Sequence, residues 1–251
     1  MTVDLSDLPN LKGLLPLAKP VGLEGYPIVN TYDYVYVCAY RPEAFPEGPP
    51  ESWNVLIDPK FKGRIALYDD GIGFNPVAVI VGGGKFEDIP DNMEPGYAFY
   101  RKLKKNKPLL GEDAEFTNWF QNGEIDVACT ISVNARAAKQ NGINVAWTVP
   151  AEGCKVDTDG LWVPKGLPAN EEYWAKQFVN FALTKEAQQK WCAMLGLPPV
   201  YPGIQPPADL VGDVSYPTKS EDFKKLLRIP SKVLVENQPK WFAKFNEIFQ
   251  G

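Results

Sequence analysis

The chain has 251 residues, 45% of them hydrophobic, with 26 basic and 31 acidic side chains and a net charge of −5. That length can bury a sizeable core, as one large domain or two smaller lobes, and the acidic balance sets aside nucleic acid, which needs a basic surface. There is no histidine, so the commonest general base and metal ligand is missing, and so is any Ser-His or Cys-His nucleophile pair.

Four cysteines, Cys38, Cys129, Cys154 and Cys192, stand too far apart for a zinc knuckle. Cys129 and Cys192 sit in apolar runs and read as small buried hydrophobes, and spacing does not fix whether Cys38 and Cys154 pair. The opening Thr2-Val3-Asp4-Leu5 has neither the basic nor the apolar region of a secretory leader. No apolar run is long enough for a membrane-spanning helix. Gly71-Ile72-Gly73 lacks the third glycine of a dinucleotide fingerprint and the Gly-Lys-Ser/Thr of a P-loop. No cofactor is implied.

Residues 1–25 read as an irregular entry. Residues 26–40, dominated by Val, Ile, Tyr and Thr, predict a strand. A proline-rich loop follows, and its end can cap a short helix over 53–57. Residues 64–68 predict a buried strand, followed by a helix with Pro76 near its first turn and glycines 82–84 at its end. Helices are expected over 91–105, 112–121 and 133–140, and strands over 125–131 and 143–149. That alternation predicts an α/β lobe with a largely parallel sheet.

Leu161, Trp162 and Val163 predict a buried strand, stopped by Pro164-Lys165-Gly166. Asn170 is placed to cap a helix on which Trp174, Phe178 and Phe181 share one face, which reads as core. Thr184 is placed to cap a second helix, carrying Ala187, Trp191 and Met194, that ends at Gly196. Residues 201–217 read as a Pro- and Gly-rich connection. Helices are expected over 220–228 and 239–249, the last with Trp241, Phe245 and Ile248 on a burying face.

Three separated blocks carry a resemblance. They are SWNVLIDPKFKGRIALYDD (52–70), WFQNGEIDVACTISVNARAAKQNG (119–142), and PAEG, DGLWVPKG, YWAKQFVNFALTKEAQQKW and GLPPV between 150 and 200. In order and spacing the chain resembles the type II periplasmic solute-binding proteins of ABC importers, in particular the polyamine-binding family. The resemblance implies a two-lobed α/β fold, a periplasmic location, a membrane permease as partner and no enzymatic turnover. It divides the chain into 1–38 (remnant of lobe one and first crossover), 39–155 (lobe two) and 156–251 (return crossover and C-terminal part of lobe one). It also implies that lobe one is incomplete at its N-terminus, which would favour pairing with a second copy through the exposed edge.

Ligands of such folds lie in the cleft between lobes, beyond strand ends and at the crossovers. Asp159 matches the family position whose carboxylate holds a ligand amine. Read by itself it is a loop aspartate capping a turn. Asp70 matches an acidic position near the polyamine site, whose second acid appears here as Gly73. Asp33 and Tyr34 lie on the first crossover. Two tryptophans of the family's aromatic cage are Ile131 and Asp157 here.

Arg136, behind Ser132 and Asn134 at a helix start, is the main departure. A guanidinium beside a helix N-terminus can fork onto a carboxylate, so the residues point to a ligand with one amine and one carboxylate, such as an ω-amino acid. The bland reading is a solvated arginine or an ion pair with Asp157. Two other functions stay open at this point. One is a truncated, non-binding or domain-swapped relative. The other is an α/β enzyme using paired carboxylates such as Asp69/Asp70 or Asp157/Asp159.

Overall fold

The structure is a computed structural model that describes residues 2–20, 22–217 and 222–251. Among the described residues, seven strands join in one sheet of order β3-β2-β4-β1-β6-β7, with β5 also on β1. The strand that joins everything is β1, Val29–Tyr40. Val, Tyr and Thr dominate it, residue types that fit a pleated, half-buried surface. Its first half pairs antiparallel with β6, Cys154–Leu161, and its second half with β4, Val127–Ile131, and β5, Ala146–Thr148. On the far side β4 pairs parallel with β2, Ile65–Tyr68, which pairs parallel with β3, Leu109–Gly111. The short β7, Leu226–Leu227, lies parallel to the start of β6. The sheet is therefore mixed, not largely parallel. The expected alternation holds only for 65–131, because β1 runs against three of its partners.

Helices α1 (Asn75–Val81), α2 (Glu94–Lys104), α3 (Asp113–Asn122) and α4 (Ser132–Gln140) form where the sequence predicts them. Pro76 lies in the first turn of α1, where its missing N–H is no loss. They cover a large core of β1, β2 and β4 residues with Trp53, Phe74, Phe99, Tyr100 and Phe116. The final helix α7, Ser231–Gln250, begins eight residues before its expected start and carries Pro239 inside it. Its Trp241, Phe245 and Ile248 are buried as predicted. Phe245 packs edge-on against Tyr100, with centroids 5.2 Å apart. The C-terminal helix therefore contributes Phe245 and Ile248 to the larger core.

A smaller core gathers Leu5, Leu8, Ala18, Val29, Val163, Val179, Leu183 and Val200. Here α5, Ala169–Ala182, and α6, Lys185–Leu195, leave their aromatic stripes outside. Trp174, Phe178 and Phe181 are 67%, 62% and 58% exposed, so they are not core; α5 packs through Val179 and Leu183 instead. Trp162 is also exposed, since the strand ends at Leu161. The cap at Pro168 carries no side-chain hydrogen bond, against the expectation at Asn170, whereas Thr184 does accept from the Ala187 N–H and Gly196 ends α6 at φ +72°. The helix expected over 220–228 is one 3-10 turn, Asp222–Lys225, followed by β7; Ser220 lies outside the described residues. All four cysteines are buried free thiols, Cys38 and Cys154 included. No helix of the described residues is long and apolar enough to cross a membrane.

Candidate ligand cleft

Alternation along β1 places Tyr32, Tyr34 and Tyr36 on one face of the sheet. The register sets Asp159 opposite Tyr32 and Asp157 opposite Tyr34 on the neighbouring strand. This stripe forms one wall of a cleft of about 400 Å³. Tyr68 and Asp70 from the end of β2, Asp113 at the start of α3, Ile131 and Val133 around the start of α4, and Leu195 and Leu197 beside the α6 terminus complete it. None of the lining residues is basic, and three are carboxylates.

Each carboxylate is held in place. The Tyr32 hydroxyl donates to Asp159 Oδ2 at 2.9 Å. The Tyr68 hydroxyl donates to Asp113 Oδ1 at 2.6 Å, where Asn134 Nδ2 also donates at 2.8 Å. The Ile72 N–H donates to Asp70 Oδ1 at 2.8 Å, so one Asp70 oxygen is turned to the loop and the other is available. Burial pushes the Asp70 carboxyl above its ordinary value, with the Ile72 N–H opposing. Burial, helped by the Asp159 charge, pushes Tyr32 up to about 12, so its hydroxyl stays a donor through neutral pH. The rings pack at 5.7 Å between Tyr34 and Tyr36 and 5.6 Å, edge-on, between Tyr36 and Tyr68. Gly73, where the resemblance expects a second acid, lies under Tyr36: a Cβ there would sit 2.3 Å from the ring. The tyrosine occupies the space that the acid would need.

The remaining expected residues are dispersed. Arg136 does not line the cleft. It is buried, forks onto Asp209 at 2.7 and 3.1 Å, and donates to the Met194 carbonyl at the end of α6 at 3.1 Å. It is an ion pair, but with Asp209; Asp157 instead bonds the fully buried Lys155. Ser132 is buried, and its Oγ has no partner among the described residues, while its neighbours Ile131 and Val133 face the cleft. Asp33 points to the other side of the sheet, fully buried, and accepts from Arg228 and Thr158. Burial pushes its carboxyl up and the Arg228 guanidinium opposes that shift. Arg228, Thr158 and Asp157 line an adjoining cavity of about 200 Å³, with Tyr34 common to both spaces.

Sequence reasoning missed Tyr32, Tyr36, Tyr68, Asp113 and Arg228. The first two were legible, because Tyr-x-Tyr-x-Tyr on a strand is a one-faced stripe. Asp113 carried only the common signal of an acid in a helix's first turn. Among the described residues no cluster of three ligand-type side chains could hold a metal ion.

The family described as "Bacterial extracellular solute-binding protein" matches residues 1–218. A curated relative from Salmonella typhimurium, named "Putative 2-aminoethylphosphonate-binding periplasmic protein", is 28% identical over 152 residues. That match is 56% of this chain and 42% of the relative, so the chain spans less than half of the relative's length. Among solved structures, an ABC transporter substrate-binding protein from Bradyrhizobium japonicum superposes with a TM-score of 0.80 at 21% identity, over 98% of this chain and 76% of that one. A spermidine/putrescine ABC transporter substrate-binding protein from Streptococcus pneumoniae gives 0.75 at 19% identity, over 99% and 78%. The type II periplasmic-binding-protein architecture expected from the resemblance is thus the fold observed.

Proposed function

This chain belongs to the family of bacterial extracellular solute-binding proteins, and from that premise we propose that it captures a small amine-bearing cation and presents it to a membrane ABC permease. The observation that carries this reading is the cleft wall: three carboxylates and four tyrosines, with no basic side chain among the lining residues. An ammonium group is matched there three ways. Carboxylate oxygens accept its hydrogens and cancel its charge. Tyrosine faces attract cations through their quadrupole. Tyrosine hydroxyls fix the carboxylates beforehand, which reduces the ordering that binding would otherwise demand.

The chemistry is non-covalent. Asp159 and Asp113 hold the cation, Asp70 receives a second positive group, and Tyr32, Tyr34, Tyr36 and Tyr68 enclose the carbon chain. Arg136 is not a ligand in this reading; it ties α4 to the loop beyond α6. The family's extracellular description and the Salmonella relative's name support a periplasmic site of action.

A second reading has one specific support. The α4 N-terminus opens beside the cleft at Ile131 and Val133, and helix N-termini favour anions. A zwitterion, with its amine on Asp159 and a phosphonate or carboxylate at α4, fits that arrangement and the Salmonella relative's name. A thermal-shift series with putrescine, spermidine, 2-aminoethylphosphonate, γ-aminobutyrate and succinate separates the readings. The diamine reading expects putrescine and spermidine to raise the melting temperature and succinate to leave it unchanged. A shift with 2-aminoethylphosphonate alone favours the zwitterion. A shift with succinate, or with none of the five, overturns both.

A further inference from the structure

The tyrosine cleft does not end at Asp70. Asp70 and Ile72 also line a second groove of about 480 Å³, closed by Asn75 at the start of α1 and by Val235, Gln238, Pro239 and Phe242 of α7. Spacings of three, four and seven put those four α7 residues on one helical face. The two spaces are therefore neighbours across a single carboxylate, and they differ in chemistry. The cleft carries Asp113 and Asp159 in addition to Asp70, whereas the groove carries no other charged residue.

Two polar groups belong to residues that line that groove. Asn75 is 2% exposed, its Oδ1 accepts from the Tyr100 hydroxyl at 2.8 Å, and its Nδ2 has no hydrogen-bond partner among the described residues. Asn75 lines the groove, so this donor is placed at its wall. Pro239 lies within α7 and has no N–H to give the Val235 carbonyl one turn back. A donor and an acceptor, set among Val235, Pro239, Phe242 and Ile72, are the complement of an amide flanked by methylene groups.

We propose that the α1–α7 groove is a second subsite for the ligand of the cleft, and that it takes an uncharged, amide-bearing arm of an amine whose cationic portion lies over the tyrosines. This rests on the amine reading of the cleft. Asp70, at the junction, pairs with the nitrogen between the two arms, so the ligand class is a substituted amine with a charged arm on one side and an acylated arm on the other. A fully charged arm would leave the Asn75 donor facing another donor.

The test is calorimetric titration with putrescine, spermidine and N1-acetylspermidine, on the unaltered chain and on two variants that fill the groove from exposed or half-exposed positions, Val235→Trp and Gln238→Trp. The unaltered chain is expected to bind N1-acetylspermidine at least as tightly as spermidine, despite its smaller charge. Both variants should lose about tenfold in affinity for the acetylated ligand, keep putrescine within about twofold, and melt where the parent melts. Putrescine binding with acetylated affinity unchanged in the variants would overturn the subsite and leave the cleft reading standing. So would putrescine binding with N1-acetylspermidine far weaker than spermidine. Failure of every amine to bind the unaltered chain overturns the cleft reading, and the subsite with it.

Discussion

Helices α5 and α7 carry the same signal and meet different fates. Trp174, Phe178 and Phe181 on one, and Trp241, Phe245 and Ile248 on the other, recur at three- and four-residue spacing. The α7 stripe is 3%, 0% and 7% exposed, whereas the α5 stripe is more than half exposed throughout. Periodicity marks a face; whether the face is covered depends on what lies opposite it. For α7 that is Tyr100 and the glycine turn at Gly71, where a Cβ would meet the Phe245 ring at 2.4 Å. For α5 the covered side is instead that of Ala175 and Val179, continued by Leu183 just past its end.

Truncating the two stripes gives the largest contrast. Phe245→Ala should cost about 3–5 kcal/mol, as buried phenylalanines do, while Phe178→Ala should stay within about 0.5 kcal/mol, the range for exposed positions. Urea unfolding monitored by tryptophan fluorescence measures both. A cost above about 2 kcal/mol for Phe178→Ala would mean that this face is covered in solution, and the contrast would dissolve.

The two arginine pairs sharpen the same distinction. Arg228 faces the fully buried Asp33, whereas Arg136 faces Asp209, whose side chain is 49% exposed. Removing Arg228 strands a buried charge, and Arg228→Ala should cost about 3–5 kcal/mol at neutral pH. Arg136→Met should cost about 1 kcal/mol, since Asp209 can be hydrated. The pH dependence separates them further. The folded-state carboxyl of Asp33 is already raised above its unfolded value by burial, and losing Arg228 raises it more. A raised carboxyl favours the folded state below the unfolded pKa and loses that contribution as pH rises through the folded value. The Arg228→Ala deficit should therefore shrink in acid and grow towards neutrality. A deficit that is flat from pH 4 to 7 would show that Asp33 is not the stranded group.

How much was legible follows from the same physics. β1, β2, β4 and helices α1 to α4 were readable, because their apolar patterns match their period and their ends carry proper signals, such as Pro76 in the first turn of α1 and Gly123 closing α3. The direction of pairing was not, since β1 exchanges partners midway from β6 to β4 and β5, and no local signal encodes that. Of the residues that line the cleft, Asp159, Asp70 and Tyr34 are those that the sequence reading singled out, while Tyr32 and Tyr36 were present as alternation and went unread. Arg136 was misplaced because a helix start near the cleft says nothing about which way a long side chain runs; here it turns to the α6 terminus. Arg228 lies 195 residues from Asp33 in sequence, beyond the reach of any local pattern.

The most direct test of the account is a titration of putrescine into the unaltered chain and into Asp159→Asn, a change that keeps shape and removes one charge from the cleft. The account predicts measurable binding to the parent, weakened tenfold or more in the variant, about 1.4 kcal/mol or greater, with the melting temperature of the unliganded protein little changed. Equal affinity in the two proteins would contradict the claim that the carboxylates of this cleft hold the ligand's cation.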